Sequence, residues 1–498
     1  MKKLLSALLL LALLVTAFAA CTSDDDNGDD GSTTTAGDTT VGDTDAGETD
    51  ANDFELELPE GLRFEGEEFM IATWNGGNYM DHYDYGWCNF LDCDEPEAGM
   101  LLQEAAYSRN EEIRNLLGVE ITSVEDIWNW NGTSEGLMAV IDLCSLSGNN
   151  NFDLIMYEQY GYEALIIDEL LMDVAAMPYI DLDKGYYNKM ANDVYYLRDN
   201  LYVFFSDIAY PCQNAVNILI NNDMLVDLNY DANYVYDMVN NGTWTFDVFS
   251  DMISGLYSDM NGDKTPDLGD KFGLQGTPYS LCYIYPAAGL HGTYLTDDGF
   301  AFDYGTDYSF EVFDAIMDLK ESQDVYCVDY EWDAFRAGRA LFTGYASEIN
   351  QLQSWFDFEF GILPFPKFRE TQETYRSPAS GGIALIPANI DNEEFVGAVI
   401  EAMAAGSHKY LVPAFYDNFV ETGVIRDEAS RQNWERMLNE WGFYEFTRII
   451  SPDDRVRNYA VVYFKIAANE RDFKSAWDSQ KDTIAQLCQD FYDWYLAE

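Results

Sequence analysis

The sequence predicts an α/β protein built as two lobes, with mixed sheets flanked by helices and a site between the lobes. Three neighbouring stretches carry the prediction. A short amphipathic helix holding Phe335 ends at Gly338, and the apolar run Ala340-Leu341-Phe342 after it is short enough for a buried strand. A second run, Phe360-Gly361-Ile362-Leu363, stops at Pro364 and Pro366, which cannot donate to a ladder. A third opens on Gly381-Gly382 and runs through Ile383-Ala384-Leu385-Ile386. Strand, Pro-stopped strand and Gly-led strand is how a chain leaves one α/β lobe and enters another.

The front of the chain reads separately. Met1-Lys2-Lys3 and the apolar run Leu4 to Ala20 form a signal peptide over residues 1–20. Ala19-Ala20 before Cys21 resembles a lipobox, with Phe18 where Leu is usual. Cys21 is then either the lipidated mature N-terminus or an incidental thiol beside an ordinary cleavage site. An exposed free thiol is a liability, which favours lipidation. Residues 21–53 are the expected linker: Thr22 to Asp53 carries eleven acids and no lysine, arginine or aromatic residue. Such a stretch cannot bury a core and is expected to be a disordered, self-repelling spacer. No later run reaches the roughly 20 apolar residues of a membrane span, so the lipid is the expected membrane contact.

The formal charge of −62 becomes −64 without Lys2 and Lys3, and −53 once the eleven linker acids are set aside. A body this acidic repels nucleic acid and anionic headgroups, so neither is an expected partner. A neutral or cationic ligand fits better than a phosphate. Hydrophobic content of 48% is ample for a sizeable core, and 498 residues suit about three domains or two large lobes with a tail. With three histidines and no Cys-x-x-Cys among the seven cysteines after Cys21, zinc is not expected. Cys88 and Cys93 are close enough in sequence to bridge a small loop, or stay reduced.

In chain order, Glu67 to Trp74 reads as the first strand, Leu101 to Leu117 as a helix ended by Gly118, and Val119 to Thr122 as the next strand, a βαβ unit. Ligands of open α/β sheets collect beyond the carboxyl ends of strands. Trp74 and Asn75 are therefore candidate ligand contacts, Trp74 as a stacking surface or as a rim residue packing its own loop. Ser134 to Leu146 reads as a helix, Asn151 to Tyr160 as a strand and its exit, and Tyr162 to Leu171 as a helix. Ala215 to Ile220 is a strand, and an Asn or Asp among residues 221–223 caps the helix after it. Thr243 or Thr245 caps another, with Trp244 in the core. Asp298-Gly299 marks a hairpin. Phe310 to Ser322, Glu393 to Ala405, Ala429 to Trp441 and Ser475 to Leu496 are helices.

Asp259, Asn261, Asp263, Thr265, Asp267 and Asp270 place oxygens at positions one, three, five, seven, nine and twelve of a loop. That is EF-hand or dockerin spacing for Ca²⁺. Lys264 stands where the EF-hand has Gly, and Asp270 where it has Glu. The stretch is either a structural calcium loop or an acidic turn held by Asx side chains.

The segment from Phe335 to Pro387 resembles the extracellular solute-binding proteins of ABC importers, in the carbohydrate-binding, maltose-binding-protein-like group. There, a Phe-x-x-Gly-x-Ala-x-Phe/Met helix and strand precede a Phe-Gly-x-x-Pro-x-Pro crossover and a Gly-Gly strand. The resemblance extends more thinly over residues 62–498. It implies a two-lobed periplasmic-binding-protein-like fold of type II, with residues 62–210 and 377–424 in the first lobe and 211–366 and 425–498 in the second. By the same resemblance, Tyr157 stands at an aromatic sugar contact and Tyr160 where the family has Asp, with Glu158 between them. Glu158 is then a hydroxyl acceptor or a solvated loop acid. Tyr210 falls near the cleft mouth, and Tyr345 and Glu348 on the second lobe. The implied role is a non-enzymatic, monomeric receptor on the extracellular face of the membrane, handing a neutral carbohydrate to ABC permease subunits. A secreted glycoside hydrolase and a surface adhesion protein are the alternatives. No motif selects a pair of catalytic carboxylates, and an adhesin predicts no deep cleft.

Overall fold

The computed structural model describes residues 55–73, 91–92, 95–96, 99–124, 152–157, 162–212, 214–296, 299–328, 333–345, 356–380, 383–421, 425–443 and 460–497. Its strands in chain order are β1 (Glu68–Thr73), β2 (Glu120–Val124), β3 (Leu154–Tyr157), β4 (Asn214–Ala215), β5 (Asn217–Asn221), β6 (Phe272–Gly276), β7 (Thr293–Thr296), β8 (Gly299–Phe302), β9 (Val325–Cys327), β10 (Ala340–Tyr345), β11 (Phe360–Leu363), β12 (Ser377–Ser380), β13 (Ile383–Leu385) and β14 (Gly442–Phe443). The helices used below are α1 (Leu101–Leu117), α2 (Phe246–Ile253), α3 (Pro278–Cys282), α4 (Asp307–Glu321), α5 (Glu393–Glu421), α6 (Glu428–Asn439), α7 (Ala460–Ala468) and α8 (Phe473–Ala497).

The first lobe is built on a sheet of order β13-β3-β1-β2, with β1, β2 and β3 parallel and β13 antiparallel to β3. Phe69, Ile71 and Ala72 of β1 are all buried, as expected for a strand covered on both faces. α1 buries Leu102, Ala105, Ala106, Ile113 and Leu117, a helical-period face. It stops at Gly118, whose φ of 76° is the left-handed cap conformation and whose N–H closes on the Arg114 carbonyl. α5 packs along α1 and runs to Glu421, beyond the Ala405 limit that the sequence suggests. The reason is packing: at Gly406 an added Cβ would lie 2.8 Å from Cγ of the buried Arg109, so the glycine permits close approach and does not end the helix. The helix expected over Tyr162 to Leu171 is shorter, Glu163–Ile167.

The second lobe has the order β11-β5-β10-β6-β9, in which β5 runs against the other four. Trp244, fully buried, packs its ring on Phe249 and Phe342 and donates its Nε1–H to the Pro364 carbonyl at 3.0 Å. Thr245 caps α2 through Val248 N–H, and Asn221 caps the helix Asn222–Asp227 through Met224 N–H. β7 and β8 form the expected hairpin. A third apolar cluster joins Leu102, Ala106, Leu411 and Phe415 of α1 and α5 to Phe335, Ile362 and Trp434 of the second lobe. No helix among the described residues is long and apolar enough to cross a membrane.

Between the lobes lies a small sheet of order β14-β12-β4. β4 and β12 run antiparallel, Ala379 opposite Ala215 and Ser380 opposite Asn214. β4 leads within one residue into β5, and β12 leads within two into β13.

Candidate functional site

Those two short connections fix which ends of the sheets meet. Asn217, the first residue of β5, lies opposite Tyr345, the last residue of β10. β6, β9 and β11 run parallel to β10, so their carboxyl ends lie at the linker end too. In the first lobe Ile383, the first residue of β13, lies opposite Tyr157, the last of β3, and β1 ends beside it. Both sheets therefore present their carboxyl ends to the linker, the edge at which open α/β sheets bind ligands.

Tyr157 and Tyr345 end their strands at this edge. Tyr210 sits in the 3₁₀ turn Asp207–Cys212 that leads into β4. Trp74, Asn75, Glu158, Tyr160 and Glu348 lie outside the described residues, as do Cys21, Cys88 and Cys93. The Oγ1 of Thr73, the last residue of β1, and the Oδ1 of Asn217 are buried without a hydrogen-bond partner. Thr73 leaves a hydroxyl and Asn217 an amide acceptor open at the same edge.

An aromatic group at this edge is absent from the sequence-derived set. β6 ends at Gly276; Thr277 caps α3 and Pro278 occupies its first turn, with Thr277 and Ser280 forming a reciprocal capping box. That geometry projects Tyr279 beyond the carboxyl end of β6, where it is 40% exposed. α3 lies against the end of β10: a Cβ on Gly344 would stand 2.8 Å from Cβ of Ser280. Tyr283, one turn on, stacks edge-on with Tyr279 at 5.0 Å and with Phe365 at 6.3 Å. The signal in the sequence was Gly276-Thr277-Pro278, a glycine followed by a helix cap and a first-turn proline.

The loop Asp259–Asp270 folds around its own amides. Asp259 accepts from Gly262 N–H at 2.6 Å and Lys264 N–H at 2.9 Å, and Asp263 from Thr265 N–H at 2.7 Å. Asn261 Nδ2 donates to Asp263 and Asp267, 3.1 Å each. Lys264 takes a φ of 67°, the turn that EF-hands give to glycine. Asp270 is buried and accepts from Met260 N–H and the Tyr257 hydroxyl. Among the described residues no three His, Cys, Asp or Glu side chains are gathered as a metal site, since these carboxylates are turned onto the backbone. The side chains on offer are hard-oxygen donors, the kind that Ca²⁺ takes, but as they stand they are bonded to backbone N–H groups and to the Asn261 amide.

Burial governs two titrating carboxyls of the first lobe. Burial raises the carboxyl of Glu401, opposed by donation from the hydroxyls of Tyr186 and Tyr187. Burial also raises that of Asp207, opposed by His408, whose Nδ1 is 2.6 Å from Asp207 Oδ2. Both are structural contacts inside the first lobe.

The architecture defines the class: a two-lobed α/β fold with paired linker strands, the type II periplasmic-binding-protein-like fold. Solved structures share it. The ABC substrate-binding protein Lmo0181 from Listeria monocytogenes, in complex with cycloalternan, matches 84% of this chain and 98% of its own at 11% identity and a TM-score of 0.53. The cyclic alpha-maltosyl-1,6-maltose binding protein from Arthrobacter globiformis matches 85% and 99% at 14% identity, with a TM-score of 0.55. UgpB from Mycobacterium tuberculosis, in complex with glycerophosphocholine, matches 84% and 98% at 10% identity, with a TM-score of 0.54. No family model matches the sequence, and no curated protein does.

Proposed function

We propose that this chain is the substrate-binding component of an ABC importer, capturing a neutral sugar or oligosaccharide between its lobes and releasing it to the permease unchanged. The convergence of both sets of carboxyl strand ends on the linker carries this reading. A ligand there touches both lobes only when they close, so it shifts the open–closed population. Two of the similar structures are named for carbohydrate ligands, cycloalternan and cyclic alpha-maltosyl-1,6-maltose. Tyr279 supplies a flat apolar face for the C–H face of a sugar ring. Trp74, Asn75, Tyr157, Glu158, Tyr160, Tyr210, Tyr345 and Glu348 belong to the same proposed cleft. The lobe limits read from the sequence and a diacylglyceryl anchor on Cys21 are parts of the proposal, which places the body on the extracellular face as a monomer. A calcium ion held by Asp259, Asn261, Asp263, Thr265, Asp267 and Asp270 would pin a loop of the second lobe and take no part in binding.

A thermal-shift screen of neutral oligosaccharides tests the reading. A ligand at 100 times its dissociation constant adds about 2.7 kcal/mol of stability. The same ligand contracts the scattering profile and is recovered intact. Hydrolysis of the sugar, or no response across the screen, overturns the proposal.

A further inference from the structure

We infer that Tyr463 and Phe464 on α7 form an outer oligosaccharide subsite, continuing the sugar path from Tyr279 along the flank of the second lobe. The inference rests on the proposed sugar-binding function and adds to it that the ligand is a chain of sugar residues. α7 packs on α3, with Val461, Val462 and Ile466 turned into the core. Phe464 on the same helix is 63% exposed. A single exposed ring is ordinary on a protein surface. This one ends a file: Tyr283 to Tyr279 at 5.0 Å, Tyr279 to Tyr463 at 5.2 Å, and Tyr463 to Phe464 at 5.5 Å between ring centres. The file starts where α3 leaves the carboxyl end of β6 and leads outward.

One sugar ring covers one aromatic face, so a file of faces suits a chain of rings. The surroundings favour an uncharged chain. Lys465, the cation beside Phe464, is held by Glu470 and by Asp472, the latter at 2.7 Å. The remaining charge of the body is negative, which disfavours an acidic glycan. Tyr279 and Tyr463 meet at an interplanar angle of 73° and Tyr463 and Phe464 at 60°. The first contact is edge-on and the second tilted, and Phe464 keeps most of its surface exposed.

Calorimetric titration of the full-length mature protein tests this, using a disaccharide and a hexasaccharide of the linkage that the wild type binds in the screen. F464A is expected to weaken the hexasaccharide about five- to tenfold, the effect of losing one stacking face of about 1 kcal/mol. The disaccharide should change less than about twofold. F464Y, which keeps the face, should bind both like the wild type. Because Phe464 is mostly exposed, F464A should melt with the wild type, and a thermal scan checks that. Equal loss for both ligands, or no loss for the hexasaccharide, overturns the subsite while leaving the receptor function standing. A wild type that binds no saccharide overturns both.

Discussion

Asp153 lies one residue before β3, at the end of the first sheet remote from the linker, so its substitution separates stability from binding. Its Oδ2 accepts from Met70 N–H at 2.9 Å. Burial raises its carboxyl from 3.8 to about 6, against the pull of the Met70 bond, and the negative charges of Asp391, Glu67 and Glu68 raise it further. The folded state thus prefers the neutral acid more than the unfolded chain does. Stability from this group is complete below about pH 4 and is lost as pH rises through about 6. A shift of about 2 units corresponds to a ceiling of about 3 kcal/mol at 1.36 kcal/mol per unit. Residual exposure and relaxation reduce the expected value to ~1–2 kcal/mol. Asp153→Asn keeps an acceptor for Met70 N–H, cannot ionise, and offers N–H donors to the neighbouring carboxylates. It should match the wild type near pH 4 and exceed it by ~1–2 kcal/mol at pH 7.5. Urea denaturation of both proteins across that range measures the difference, which cancels the pH response of every shared acid. A difference that does not vary with pH, or an Asn variant less stable at pH 7.5, refutes the reasoning.

Other outcomes follow from the packing and the site. Trp244→Ala removes a fully buried ring and a hydrogen bond to Pro364, and should cost about 3–5 kcal/mol by chemical denaturation. Tyr279→Ala should weaken sugar binding about three- to tenfold by calorimetry with little change in melting temperature, since its ring is part-exposed. Millimolar Ca²⁺ should raise the melting temperature and a chelator reverse it; Asp267→Asn, altering a half-buried carboxylate of the proposed loop site, should abolish that response. Gly344→Ala forces a methyl to within 2.8 Å of Ser280 Cβ and should destabilise by about 1–3 kcal/mol, measured in urea.

Much of the framework was legible where a stop signal sits beside a periodic run. The helix Leu101–Leu117 and the strand Phe360–Leu363 were readable to the residue, because Gly118 ends one and Pro364 the other. β12 was not. Ser377-Pro378-Ala379-Ser380 has no alternation and contains a proline, and its pairing comes from tertiary neighbours. β6, Phe272 to Gly276, was hidden by its glycines. A Cβ on Gly273 would stand 2.5 Å from the Ile253 carbonyl, so what reads as a loop residue is a close contact with α2. The left-handed turn at Lys264 was marked only by the calcium-loop spacing, since no local propensity asks for it. Residues of the proposed cleft were the hardest to read. They follow strand ends, where exposure and direction depend on the next element; Tyr279 is turned outward by the cap at Thr277, which a run of apolar letters conceals.

The position of the site depends on even less than that. One residue separates β4 from β5 and two separate β12 from β13, and β4 and β12 are held together as antiparallel partners. With connections that short, β5 and β13 must start at the linker. Their antiparallel neighbours β10 and β3 must then end there, and the parallel strands β6, β9 and β1 with them. None of these steps invokes a residue that touches ligand. Under the proposed function the fold therefore fixes where a guest would be held while leaving the lining free to vary. It follows that specificity must be sought in the loops and short helices after the strand ends, α3 among them, and that the strands themselves carry almost none of it.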